Sequence, residues 1–242
     1  GGGGGAFSNE YSLDFDGTND YCGVASNPNL DIYSLSLWFN ADSLANSMIF
    51  SGMGGDDGGF GISSTGDIRW YNTTGNRTNY GSGFLSTGTW YHYFARWVAS
   101  GYTATDGSSF ANGAGYEIYI NGIRRDKSVV GGGATYSYPI MSTGSAVKVG
   151  REGGRETYYF NGKVDEVAIF GSSLSPTDIA AIYGGGTPTD LKDHGPTLWW
   201  RMGDGGTWDG SNWTIPDASG NDNAGTTDNM VEVDRVTDLP GA

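Results

Sequence analysis

Cysteine is almost absent from the 242 residues: Cys22 stands alone, so no intrachain disulfide is possible and packing or bound ions must hold the fold. Basic residues are scarce too. Thirteen Lys and Arg face 27 Asp and Glu, a formal net charge of -14. Nucleic acids and anionic membranes both need a cationic footprint, so neither is an expected partner. The one basic cluster, Arg124, Arg125 and Lys127, reads as a solvated hairpin face. Histidine is limited to His92, inside an apolar strand pattern, and His194, in a linker, which leaves little for a nucleophilic triad. There is no apolar run long enough to span a bilayer and no secretory signal pattern.

What is plentiful is glycine and aromatic surface. The 43 glycines sit mostly between strand patterns, at Gly52 to Gly61, Gly131 to Gly133 and Gly184 to Gly186, and read as loops of a folded protein. With 37% hydrophobic and 14% aromatic residues the chain can build a large core. Gly1 to Gly5 has no side chains to pack and reads as a flexible lead-in or as an arm ordered only by a partner.

Strand patterns recur along the chain. Tyr11, Leu13 and Phe15 alternate with polar residues before the turn Asp16 to Asp20, and Leu35, Leu37 and Phe39 alternate in the same way. Tyr91 to Val98 is apolar at nearly every position, as in a strand covered on both faces. Tyr116 to Ile120 and Ile123 to Asp126 flank Asn121-Gly122, a two-residue hairpin signal. Ala146 to Gly150 and Thr197 to Met202 add two more strands, and a tight turn at Asn161-Gly162 leads into a strand from Lys163 to Phe170. One short helix follows at 175–183, with Ser175 as N-cap, Pro176 at its first position, Asp178 completing a capping box and Gly184 as C-cap. Many short strands with one small helix predict an all-β, two-sheet antiparallel jelly-roll sandwich. The expected organisation is a Gly-rich arm at 1–9, a jelly roll at 10–186 and an acidic extension at 187–242, packing on the sandwich or on a neighbour.

The segments SLDFDGTNDYC (12–22), SLSLWFNADS (34–43), WYHYFARW (90–97), YEIYINGIRR (116–125) and VKVG…FNGKVDEVAIFGSSLSPTDIAAIY (147–183) resemble, in order and spacing, the laminin-G-like, concanavalin A-like lectin/glucanase jelly rolls. That resemblance implies two curved antiparallel sheets, frequent structural calcium and ligand recognition as the commonest role. Residues 198–230 resemble segments that accompany such domains in structural proteins of tailed phages. They imply a non-enzymatic structural or decorating component of a virion surface with glycan adhesion, partnered by other subunits in an oligomeric assembly. The alternative is a secreted or cell-surface bacterial carbohydrate-binding or adhesion module.

The residues bear on three chemistries. Glycoside hydrolases of this fold place two carboxylates across the scissile bond, but Asp165 and Glu166 are adjacent, so regular strand alternation would point them to opposite faces. Glu152 and Glu156 lie in a Gly-rich loop without a strand to hold them, and no catalytic residue is expected. Calcium has an oxygen-rich set in Asp16, Asn19, Asp20 and Asp165, with local turn formation as the competing explanation. The series Asp217, Ser219, Asn221 and Asn223 reads as ordinary loop composition. For a carbohydrate, Trp70, Tyr71, Asn72, Arg77, Asn79 and Tyr80 combine aromatic faces with hydrogen-bonding groups, and Tyr102 with Asp106 is a weaker set.

Overall fold

The computed structural model describes residues 7–242 except 25–29, 53–57, 72–76, 81–82, 106, 108–112, 127, 131–145 and 154–156; for 71, 77–80 and 128–130 it describes the backbone alone. In chain order its elements are β1 (Ser12–Asp16), β2 (Tyr21–Gly23), β3 (Ser34–Ala41), β4 (Ser47–Ser51), β5 (Gly59–Ile62), β6 (Ile68–Tyr71), β7 (Arg77–Tyr80), β8 (Trp90–Val98) and β9 (Gly115–Ile120). There follow β10 (Ile123–Arg124), β11 (Ser128–Val130), β12 (Lys148–Val149), β13 (Asn161–Phe170), α1 (Pro176–Tyr183), β14 (Leu198–Trp200), β15 (Thr207–Trp208), β16 (Trp213–Ile215), β17 (Gly225–Asp228) and β18 (Arg235–Val236). Two antiparallel sheets result. The first runs β10-β9-β8-β3-β13-β1-β18, with β14 also on β13, and the second runs β11-β7-β6-β5-β4-β12-β2-β17-β16-β15.

Between the sheets lies a core in which Leu35, Leu37 and Phe39 of β3 meet Phe50, Phe60 and Trp70 from the second sheet. The alternate positions of β3 face outward, where a second apolar cluster covers the first sheet. That cluster joins Phe94, Ala168 and Phe170 to Ile179 and Ile182 of α1, to Leu174 and Leu191, and to Trp199 of β14. The first sheet is thus buried on both faces. β8 therefore reads as a near-continuous apolar run, while β3 shows Leu35, Leu37 and Phe39 alternating with Ser34, Ser36 and Asn40.

The helix has the expected ends: the Ser175 side chain accepts from the Asp178 amide, Asp178 returns a bond to the Ser175 amide, and Gly184 closes it at φ 62°. The strand at 163–170 pairs with β1, as Leu13 opposite Val164 shows. One expected turn does not exist. Asn161 and Gly162 are the first residues of β13, and Gly162 is needed because a Cβ there would lie 2.2 Å from the Asn40 carbonyl oxygen on β3. The reading of Gly52 to Gly61 as loop is likewise corrected at its end, where Gly59 and Gly61 belong to β5.

Residues 187–242 are hydrogen-bonded into both sheets: β14 pairs with β13, β18 with β1, and β17 with β2. Residues 1–6, which carry most of the N-terminal arm, lie outside the described residues.

Candidate functional site

Because the outer face of the first sheet is sealed, the outer face of the second is where a ligand can meet a sheet. Its registers place one row of residues across successive strands. Thr207 pairs with Thr214, Thr214 with Thr226, Thr226 with Gly23, Gly23 with Lys148, Lys148 with Ser51, and Ser51 with Gly59. The backbone ladder continues from Gly59 to Tyr71 and from Tyr71 to Arg77. Paired residues share a face, so this is a continuous polar row of hydroxyls, glycines and a cation. It lies opposite Cys22, Phe50, Phe60 and Val149, which point into the core. The three threonines are exposed, whereas Gly23, Ser51 and Gly59 are buried, so accessibility falls toward the middle of the row.

Beside the row stands a second group. Tyr21 donates to Asp228 Oδ2 at 2.6 Å, and its ring carries the Lys148 ammonium at 4.8 Å and the Arg151 guanidinium at 4.0 Å. Ser51 Oγ donates to the Arg151 carbonyl at 2.8 Å. Glu152 follows, its Oε2 accepting from Thr157 Oγ1 at 2.8 Å. Cation stacking on an aromatic ring and a phenol bound to a carboxylate fix these long side chains, so the face is organised before any ligand arrives.

The expected ligand set is placed differently. Trp70 is 4% exposed and packs in the core, 4.4 Å from the ring of Tyr116. Strand alternation explains the correction: Ile68 and Trp70 face inward, and Arg69 lies on the other side, where it bonds Asn46 Oδ1 at 3.2 Å. Tyr71, Arg77, Asn79 and Tyr80 lie on β6 and β7, with Arg69 opposite Asn79 and Ile68 opposite Tyr80. Asn72 and Asp106 lie outside the described residues. Tyr102 is buried and donates to Asp126 Oδ2 at 3.1 Å.

The calcium set is not brought together. Asp16 pairs with Asn161, so Asp165 lies four positions further along β13, about 13 Å away at strand rise. In the turn, Asp16 Oδ1 accepts from the Thr18 and Asn19 amides at 2.7 and 3.2 Å, and Asp20 Oδ2 accepts from the Asp16 amide at 3.0 Å. These oxygens do the local work of a turn, and the four residues do not fit one ion. Burial pushes Asp20 up to about 6, against the bond from the Asp16 amide, with Asp16 and Asp234 adding repulsion. Asp217 likewise serves its loop, accepting from the amides of Trp199, Ser219 and Asn223.

Asp165 and Glu166 differ from the expectation in an informative way. Between Asp165 and Ala168 β13 takes three steps while β3 takes two, from Trp38 to Ser36, so β13 holds one extra residue. Glu166 sits in that bulge at φ 49°. The bulge puts both carboxylates on the outer face of the first sheet rather than on opposite faces. Both are sealed there, at 0% and 2% exposure. Asp165 accepts from Asn9 Nδ2 at 2.7 Å and from the Glu166 amide at 2.8 Å, while Glu166 accepts from Trp199 Nε1 and from Arg201 Nε at 3.0 Å. Burial raises both, Glu166 to about 7 against the opposing pull of Arg201 and Trp199, and Asp165 well above its usual value, with the charge of Glu166 adding to burial. Arg201 also stacks on Phe7 at 4.5 Å and bonds the Ser8 carbonyl, so the pair ties residues 7–9 to the sheet. The sequence signals that were missed are Arg201 and Asn9, distant in the chain and recognisable only through these contacts.

His92 is wholly buried, with Nε2 2.9 Å from Ser36 Oγ, and desolvation lowers it to about 3. It is a neutral core residue between Trp38 and Tyr183.

The chain belongs to the concanavalin A-like lectin/glucanases superfamily: the laminin-G-type model of that family matches residues 16–180. No curated protein sequence matches the chain. Among solved structures, it is similar to a candidate carbohydrate-binding protein from Bacteroides ovatus, with 18% identity and a TM-score of 0.65 over 98% of this chain and 62% of the other. The chain therefore spans less than two thirds of that relative. It is also similar to domain 4 of an extracellular arabinanase from Geobacillus stearothermophilus, solved with arabinotriose, at 17% identity and TM-score 0.41, covering 66% of this chain and 68% of that one. A carbohydrate-binding module of a Ruminococcus gnavus sialidase, bound to sialyllactose, gives 13% identity and TM-score 0.47 over 74% and 100%. Identities this low establish the fold alone, and the two likenesses with a TM-score below 0.5 support nothing further.

Proposed function

We propose that this chain is a non-catalytic carbohydrate-binding or adhesion module of a secreted or surface protein, and that it takes its glycan on the outer face of the second sheet. The observation that carries this is the polar row from Thr207 to Gly59. The exposed hydroxyls of Thr207, Thr214 and Thr226 and the half-buried Lys148 can supply hydrogen bonds to sugar hydroxyls, while buried Gly23, Ser51 and Gly59 form the floor of the row. The Bacteroides ovatus relative, described as a candidate carbohydrate-binding protein, shares this fold over nearly the whole chain.

A non-catalytic reading follows from where the acids lie. The nearest thing to a hydrolase pair, Asp165 and Glu166, is buried under Trp199 and engaged with Asn9 and Arg201, out of reach of a polymer. A virion-surface role is the weaker reading. Residues 198–230, which suggested it, supply β14 to the first sheet and β15, β16 and β17 to the second, so their composition is accounted for by the domain's own integrity.

The test is native gel electrophoresis through embedded arabinan, xylan, mannan, β-glucan and mucin, one at a time. At least one should retard the wild-type chain, and Thr214→Ala with Thr226→Ala should weaken that retardation without lowering the melting temperature. Free migration in every gel, or retardation unchanged by the double variant, would overturn the assignment.

A further inference from the structure

Resting on that reading, we infer that Tyr158 is the stacking platform of the glycan site, at the rim where its own carbonyl meets Met48 of β4. Three observations converge on it. Tyr158 adopts φ 56°, the left-handed region in which a bulky side chain is a genuine outlier and which Gly or Asn would occupy with far less strain. Its backbone is held there from several sides. The Met48 amide donates to the Tyr158 carbonyl at 2.8 Å, the Phe160 amide to the Gly150 carbonyl at 2.8 Å, and the Glu152 amide to the Thr157 carbonyl at 3.1 Å. Yet the side chain is 49% exposed, so the ring is not what stabilises this conformation.

A single exposed aromatic needs no explanation, but strain retained for a side chain that the core does not use does. The surroundings fit a sugar. Met48, which fixes the Tyr158 backbone, lies opposite Gly61 on the outer side of the second sheet. Arg69, the other partner of Gly61, holds the exposed Asn46 amide at 3.2 Å, and on the other side Thr157 is bonded to Glu152. An exposed aromatic ring offers the face on which the CH groups of a saccharide ring stack, and Arg69 with its partner Asn46, on the same side of the second sheet as Met48, can take hydroxyls.

The experiment uses the same five polysaccharide gels with Tyr158→Ala, Tyr158→Trp and Tyr158→Gly. Against whichever polysaccharide retards the wild type, Tyr158→Ala should weaken affinity at least about tenfold and Tyr158→Trp should keep it within about threefold. Tyr158→Gly should lose binding as the Ala variant does, yet melt at the wild-type temperature or about 2–4 °C above it, because the strain is relieved. Binding by Tyr158→Ala equal to the wild type would overturn this inference and leave the proposed function standing. A fall in melting temperature for Tyr158→Gly would show that the ring is structural and would also overturn it. A wild type retarded by none of the five would sink the proposed function and this inference together.

Discussion

On the outer face of the first sheet the positions facing away from the core hold Trp38, Phe94, Ala168 and Phe170, covered by Ile179, Ile182 and Trp199. On the outer face of the second sheet the equivalent positions hold Thr214, Thr226, Gly23, Lys148, Ser51 and Gly59. Both sheets close the same core with the same alternation, so the fold does not require this difference. The first face is used to attach α1 and the C-terminal segment to the sandwich. Along its polar row the second holds small and hydroxyl side chains and one Lys, with Met48 and Tyr21 beside them, which is what a polar ligand with an apolar ring face needs.

The largest expected effect lies on the sealed face. Trp199→Ala removes a ring that is 1% exposed and leaves Glu166 without one of its donors, which should cost about 3–5 kcal/mol. Urea unfolding measures this, and glycan retention per folded molecule should not change. A Trp199 variant that folds normally but no longer binds would reverse the roles of the two faces.

The sealed acids give the next effect, through pH. Glu166 is raised from 4.5 to about 7 by burial, so the folded state holds a proton that the unfolded state has already lost across that window. Stability from this group is therefore present below pH 4.5 and lost as pH rises toward 7. Asp165, Asp14, Asp20, Asp204 and Asp234 are raised as well and act in the same direction. His92, lowered to about 3 by burial, opposes this below pH 6.5, but the raised carboxyls outnumber it, so the chain should melt higher at pH 5 than at pH 8, and Glu166→Gln should remove on the order of 1–3 kcal/mol of that slope. A melting temperature that climbs with pH over this range would mean that the pair is solvated.

Smaller effects belong to the polar face. Thr214→Ala and Thr226→Ala should each change stability by less than about 0.5 kcal/mol, since both side chains are exposed, while reducing glycan retention. Chelation with EDTA should leave the melting temperature unchanged, because the oxygens of Asp16 and Asp20 are used by the turn and Asp165 is on another part of β13. A clear fall on chelation would show an ion that this geometry does not provide for.

The same contrast governs how much was legible in the sequence. β8 and the end of β13 are legible because burial on both faces writes apolar runs, β3 because its apolar residues alternate, β9 because Asn121-Gly122 marks its turn, and α1 because its caps are local. β4, β5, β6 and β7 were not read as strands. Gly59 and Gly61 in β5 look like loop, and the polar outward positions dilute the apolar signal of a four-residue strand. Trp70 is misplaced for that reason: expected to meet a carbohydrate, it is turned inward by alternation in β6. The bulge at Glu166 was invisible because it is defined against β3, some 130 residues earlier in the chain. The polar row is in the same position: its members come from β15, β16, β17, β2, β12, β4 and β5, and no local pattern joins them. The surface proposed for function thus lies mainly in the sheet that the sequence hid.

The most direct measurement is a map of backbone amide chemical-shift changes on adding an oligosaccharide cut from whichever polysaccharide retards the chain. The largest changes should fall on Gly23, Lys148, Ser51, Thr226, Met48 and Tyr158, with α1 and β14 unmoved. Changes concentrated on Trp199, Arg201 and the α1 side of the first sheet would contradict that placement.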